Sequence, residues 1–547
     1  MSDPILHLPL DDSRAPPGGP ARARRFDGGD GLALPAADTP ALGTGDFTVD
    51  LWLNPDTDGG TVGDLVSRFD SVSRRGFALS CVSHSGVTST SQANLRGLQF
   101  GIDAGRLPDA ADPTADLVMQ PTPWIDRGRP GAAVHVAALH TSGGDLFAGT
   151  FEIEAGERGH LWRYGGGDLW HDLGGAPDGS SVIDAIARFD GGLYCGTGRY
   201  MPQGSALGPV RNNRPGGTVW RVSGDGAWVD CGRPGGEDAT PEDVEVPGYA
   251  TGKADQASAL TEFEGRLYCT SFHRRGAFVY EGGRHWRYVG PDERLIAFAV
   301  FEGNLLALVN GGPVLRYAGG ESWEDWGHPR GSTQTYSAAV YGGRLHVGTW
   351  PCGTVHRRGD DGGWTELTRP GYEREIMAMA VLNQKLYVGG LPMGTVYRHD
   401  PGDEGGDAFT FAGTLDATPG VVLRRVWSMS VYDGQLFAGT LPSGRVWSLR
   451  AGALATFDDV LGPGWHHLAA VRRSGRLELF VDGQAAGRSA AFAPEDYDVD
   501  AGVPLRVGGG CHAGLRGWLA DVRVHGRALS ADEVAAACGT VGPGAAG

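Results

Sequence analysis

Six polar residues stand where short runs of small residues begin: Asp184, Gln256, Arg294, Gln334, Glu375 and Arg425. Six more, Arg199, Tyr200, His273, Arg274, Asn310 and Trp350, fall in the loops that close the next strand. Carboxylate, amide, guanidinium and aromatic groups around one opening can hydrogen-bond and stack against a sugar or another polar small molecule. The same residues would also serve simply to solvate and cap the mouth of a channel. Two carboxylates, Asp184 and Glu375, would support glycoside hydrolysis only if they flanked one bond, and their separate repeat units need not bring them together.

Other chemistries find less support. There is no HExxH, CxxC or EF-hand pattern, and the seven cysteines are an odd number. Cys195 and Cys269 sit in apolar strand-like runs, as buried free thiols do. Cys352, in Trp-Pro-Cys-Gly, has no placed base beside it and reads as a structural cysteine. His466 and His467 are adjacent, so strand alternation sends them to opposite faces, where packing or hydrogen bonding explains them.

These groups need elements to position them, and the middle of the chain supplies a repeat. Leucine anchors at Leu146, Leu193, Leu267, Leu305, Leu345, Leu386 and Leu436 are spaced 47, 74, 38, 40, 41 and 50 residues apart. Around each lie a small-residue strand, the Leu-aromatic-x-Gly-Thr strand, a Gly-x-Val-aromatic-Arg strand and a strand carrying an aromatic. The small runs include Ala185–Ala187 and Ser428–Ser430, and the aromatics are Trp170, Trp228, Trp286, Trp323, Trp364 and Phe409. Four short strands in about 40 residues is the signature of a propeller blade. Seven anchors make seven blades, but the seventh lacks its fourth strand. Trp124-Ile125-Asp126-Arg127-Gly128 matches Trp170-His-Asp-Leu-Gly and Trp228-Val-Asp-Cys-Gly, so an upstream segment completes blade seven; FDDVLG at 457–462 is the rival.

The flanks, 1–119 and 451–547, carry alternating strands that are too few in either half to bury two faces. GDFTVDLWLNP, GWHHLAAVRRSGRLELFVDGQ and LADVRVHGRALSADEV resemble, in this order, motifs of the laminin-G-like, concanavalin-type jelly roll. The resemblance implies one discontinuous β-sandwich, with residues 120–450 inserted as a propeller into an all-β chain. It also implies carbohydrate or protein adhesion, and a calcium ion held on oxygen ligands at Asp27 in FDGG and Asp521 in LADVRV. Turn-stabilising and edge-strand roles are the alternative for those two carboxylates. The turns SGDGAW and GDDGGW resemble degenerate Asp-box turns of sialidase-like propellers, but no arginine triad with a tyrosine nucleophile accompanies them.

Composition limits the partners. Acidic residues number 65 against 47 basic, for a formal charge of −18, which argues against nucleic acid or an anionic membrane surface. Gly (91) and Pro (33) stay below the roughly 25–30% of low-complexity chains. No apolar run is long enough to span a bilayer, and the first residues lack a signal-peptide pattern, so a cytoplasmic location is expected. The expectation is a non-enzymatic binding or scaffolding protein for a glycan or a protein partner. A carbohydrate-active enzyme and an assembly component are the rivals.

Overall fold

The computed structural model describes residues 3–29, 31–87, 90–105, 123–199, 211–212, 214, 216–224, 226–235, 256–271, 276–402 and 407–539. Seven antiparallel four-stranded blades follow the repeat. Their inner strands are His135–Ser142, Val182–Phe189, Ser258–Phe263, Leu295–Phe301, Gln334–Tyr341, Glu375–Leu382 and Arg425–Tyr432. Blade seven takes its outermost strand from upstream: Trp124–Asp126 pairs with Val446–Leu449, Trp124 opposite Leu449. The rival segment 457–462 goes to the sandwich instead, with Phe457 opposite Leu98 and Leu461 N–H donating to Arg96 O (3.0 Å).

The fourth-strand tryptophan, which opens a Trp-x-Asp-x-Gly motif in blades one, two, four and seven, is an inter-blade latch. Trp170 Nε1 donates to Arg127 O (2.9 Å), Trp286 to Cys231 O (2.8 Å), Trp323 to Val289 O (2.7 Å) and Trp364 to Trp326 O (3.2 Å). Each carbonyl lies just beyond the outer strand of the preceding blade. The Asp of the motif turns the chain there: Asp126 Oδ1 accepts from Gly128 N–H (2.9 Å) and Asp230 Oδ1 from Gly232 N–H (2.7 Å). Gly128 and Gly232 both have φ of +81°, a backbone that side-chain-bearing residues rarely adopt. Trp124 Nε1 donates to Ala412 O inside the outer strand of blade six, Asp407–Thr414 (3.0 Å), so the ring closes with the same kind of inter-blade bond.

Head and tail share one sandwich. One sheet runs Ser13–Arg14, Arg22–Asp27, Arg516–His525, Phe47–Pro55, His466–Arg473, Arg476–Val481, Gln484–Arg488. The other runs Ala453–Phe457, Gln92–Ala104, Arg75–Ser85, Gly63–Asp70, Leu505–Val507, Leu32–Leu34. Alternation puts Phe47, Val49, Leu51 and Leu53 into the same core as Leu468, Leu477, Leu479 and Val522. Arg472 is fully buried, and its guanidinium donates to Thr44 O (2.8 Å), Tyr497 O (2.8 Å) and Pro494 O (2.9 Å), again joining the two halves.

One sandwich hairpin leaves its sheet and enters the propeller. Strands Arg75–Ser85 and Gln92–Ala104 are buried almost throughout, although the tip is rich in Ser, His, Gln and Asn. The reason lies in the inner strands, whose free edges present unpaired N–H and C=O groups to the channel. Phe298 N–H donates to Ser91 Oγ (2.9 Å), Val300 N–H to Ser85 Oγ (2.9 Å) and Ala338 N–H to Gly86 O (2.7 Å). Asn94 matches the Val431 peptide as a strand would, accepting its N–H (3.0 Å) and donating to its C=O (2.8 Å). Gln92 does the same for Glu262 (3.3 and 3.4 Å), and His140 Nδ1 of blade one donates to Gln92 O (2.9 Å). The hairpin therefore plugs the channel from the end where the inner strands finish.

Two buried histidines at this plug make it sensitive to acid. His84 Nε2 accepts from Val381 N–H (3.4 Å), so the ring proton sits on Nδ1 and faces Asn94 Oδ1 (3.1 Å). Burial depresses both His84 and His140 from 6.5 to about 4. Between those values the unfolded chain holds protons that the folded chain refuses, so each histidine stabilises the fold above pH 6.5 and loses that contribution as pH falls toward 4. Raised carboxylates such as Glu375 act in the opposite sense, so the comparison is made against a variant. We expect His140→Gln to flatten the slope of unfolding free energy against pH between 5 and 6 by about 1.4 kcal/mol per pH unit, one proton's worth. An unchanged slope in urea titrations would refute the assignment.

Candidate binding face

With one end plugged, the polar groups gather at the other, where the inner strands begin. The sequence suggested a ring of polar groups around a channel; the structure corrects the channel to a cup closed at its base by the hairpin. Each inner strand breaks register once near this open end. The break skips Ala137, Asp184, Ile296, Tyr336, Met377 and Trp427 in six blades, and Ala259–Leu260 in blade three. Such bulges re-aim a side chain beside a barrel rim. Two tiers result: the bulged residues, and His135, Arg294, Gln334, Glu375 and Arg425 just ahead of them.

Neighbouring blades pair these groups. Gln256 Nε2 donates to Asp184 Oδ2 (2.6 Å), both buried, and Gln256 bridges to Gly198. Gln334 Nε2 donates to Asn310 Oδ1, and Asn310 N–H to Arg294 O (2.9 Å). Glu375 is buried, and desolvation pushes its carboxyl up to about 8 against the pull of Arg425; its Oε1 has no hydrogen-bond partner among the described residues. The Arg425 guanidinium lies 5.8 Å from the Trp427 ring, and His135 stands edge-on to that ring at 4.5 Å. Burial holds His135 well below its usual range, with Arg425 adding to the effect. Between blades five and six, Arg374, just ahead of Glu375, sits 5.0 Å above Trp350.

Arg199 directly follows the strand Gly192–Gly198, while Tyr200, His273 and Arg274 lie outside the described residues. Most of the two long blade-two insertions lies outside them too. Asn212 of the first insertion is buried against blade one, its Nδ2 donating to Glu152 O (2.7 Å). Asp184 and Glu375 are held in blades two and six by different partners. His135, Trp427 and Arg374 were missed by sequence reading. Trp427 offered a signal, as the one large ring in the small-residue run Arg-Val-Trp-Ser-Met-Ser, but its position at a bulge was not readable.

Asp27 and Asp521 do not fit a shared calcium site. Asp27 pairs opposite Arg516, and Asp521 lies five residues further along that strand, roughly 16 Å away at strand rise. Asp521 is also engaged by His7 Nε2 (2.5 Å) and by Arg523. Among the described residues no group of three or more His, Cys, Asp or Glu side chains could hold a metal. His467 turns inward to Asp50 (3.5 Å), which also meets His525 (2.9 Å) and Arg523 (3.3 Å). Burial opposes the Asp50 charge, but those hydrogen bonds and Arg523 hold it at about 2. His466 turns the other way, to Asp482 (2.9 Å).

Sequence comparison adds one firm point. Residues 433–535 match the concanavalin A-like lectin/glucanases superfamily model. The match starts inside blade seven, and its first strands, Gln435–Leu441 and Val446–Leu449, pair in the propeller. No curated protein matches the chain by sequence. Solved propellers are similar to it in fold. A catalytically inactive virginiamycin B lyase from Staphylococcus aureus with quinupristin aligns at 10% identity and TM-score 0.43, over 60% of this chain and 99% of that one. YCF48 bound to D1 peptide aligns at 13% and 0.40, over 63% and 99%. A chain of the mitotic checkpoint complex aligns at 10% and 0.43, over 63% and 99%. Nothing about ligand or activity follows from likeness at this level.

Proposed function

We propose that this chain is a non-enzymatic binding or scaffolding protein that takes a glycan or a protein partner on the open face of its propeller. The observation that carries the reading is the plug. By closing the channel behind the polar tiers, it leaves a cup that can hold a ligand and passes nothing through. The cup offers adjacent-blade pairs of opposite character, amide beside carboxylate and guanidinium beside indole, which suit a polar ligand with a flat face. Rigid blades hold these groups in place, which lowers the ordering cost of binding.

The test is retention on glycan and protein arrays. We expect specific retention, weakened about tenfold or more by Glu375→Gln or Arg425→Met, as for loss of a central contact. Retention that ignores both substitutions would sink the reading. One feature favours catalysis as a second reading: the buried Glu375 carboxyl, whose Oε1 has no hydrogen-bond partner among the described residues and which desolvation raises, suits a general acid. That reading requires an array ligand to be converted, with Glu375→Gln binding it but not converting it.

A further inference from the structure

We propose that the arc of the open face from blade five to blade seven docks an acidic polypeptide segment bearing aromatic or large apolar side chains. The inference rests on the binding reading above and gives it a partner chemistry. Its first support is exposure. Tyr372 is 82% exposed and Val422 77%, more than any other large hydrophobic side chain described, and Met393 nearby is 44% exposed. All three lie in loops at the open end of blades six and seven.

These loops form one continuous rim. Arg424 N–H donates to Pro392 O (2.9 Å) and Arg424 bridges to Met393, which ties the loop carrying Val422 to the loop carrying Met393. The Glu373 carboxylate accepts from Met393 N–H (3.0 Å), tying the Tyr372 turn to the same loop. Arg374 then covers Trp350, and Cys352 Sγ reaches Gly331 O (3.5 Å), beside Arg330.

The second support is charge. Arg330, Arg369, Arg374 and Arg424 form no ion pair among the described residues. The acids of the same loops are withdrawn: Glu373 and Asp416 are buried, each accepting backbone N–H groups from Thr395 (3.0 Å) and Thr418 (2.9 Å) respectively. A chain of net charge −18 thus shows a locally basic rim, which steers an acidic partner. The apolar side chains choose the class of partner, because a sulfated sugar would leave them wet while a peptide with aromatic residues covers them. Arg369 donates to Glu373 O (3.0 Å) and fixes the turn that presents Tyr372, so the site is preorganised.

Anisotropy of a labelled random Glu/Tyr copolymer against the full chain tests this, with poly-Glu and a heparin fragment as competitors. We expect salt-sensitive copolymer binding, about tenfold tighter than poly-Glu, and about tenfold weaker in Arg374→Glu/Arg424→Glu and in Tyr372→Ser/Val422→Ser. Arg488→Glu, on the sandwich, should leave it unchanged, and melting curves confirm that the surface variants fold. No copolymer binding, equal binding by the variants, or heparin binding as tight as the copolymer's overturns the proposal. Should Glu375→Gln or Arg425→Met abolish retention of an array ligand while the rim variants retain it, the rim fails and the cup reading stands. If neither set alters retention, both readings fall.

Discussion

Trp124→Ala is expected to cost about 3–5 kcal/mol of stability, as for a large aromatic removed from a packed site. Trp124 is 5% exposed, packs against Leu449 and Leu454, and donates from Nε1 to Ala412 O of blade six (3.0 Å). Its short strand is also the outer edge of blade seven, where Trp447 pairs with Asp126. Substitution therefore removes buried area, a buried hydrogen bond and the seam between the first and last propeller segments. Trp323→Ala, at the equivalent latch of blade four, is the control. Urea midpoints should fall by similar amounts in the two variants. Near-wild-type stability for Trp124→Ala alone would mean that the ring does not depend on the upstream strand.

Lys385→Met should be nearly as damaging, by a different route. Lys385 and Asp103 form an ion pair with each side chain only 5% exposed, joining blade six to the sandwich strand Gln92–Ala104. Lys385 also donates to Ala451 O (3.4 Å), where the chain passes from propeller to sandwich. Burial pulls the Lys385 ammonium below its usual range, and Asp103 pulls it back. Removing the lysine leaves a buried carboxylate without its cation, which costs about 3–5 kcal/mol. The double variant Lys385→Met/Asp103→Leu should recover much of that loss, since replacing both charges avoids stranding either. A double variant as unstable as the single one would show that shape, not charge, holds this seam.

The open face and the seam thus answer to different forces. At the seam, a buried charge is met from both domains: Asp64 of the sandwich accepts from Gln384 Nε2 (2.9 Å) of blade six and from His512 N–H (2.8 Å) of the sandwich itself. At the open face, Glu375 keeps one buried oxygen without a hydrogen-bond partner among the described residues, and Tyr372 and Val422 remain exposed.

Much of the architecture was readable because its signals are local. The Leu anchors and the Trp-x-Asp-x-Gly motif lie within single blades, and their spacing reports a strand and a turn without reference to distant residues. Blade closure was readable for the same reason: Trp124 carries the latch motif, although its partner strand lies more than 300 residues later. The site was harder. Asp184 and Gln256 meet as neighbours, but Trp427 and His135 gain their places from a bulge and a ring closure that no periodicity reports.

The amino-acid order alone determined the all-β class and the sevenfold repeat, since alternation and turn chemistry are written in adjacent residues, while the shared sandwich was legible through the resemblance of both flanks to one jelly roll. Tertiary structure alone decided that the hairpin near Gln92 and Asn94 fills the channel. Asn94 meets Val431 across 337 positions of chain, and Gln92 meets Glu262 across 170. Their amides look like surface residues until the free edges of the inner strands arrive to pair with them, and only assembly of the whole ring brings those edges there.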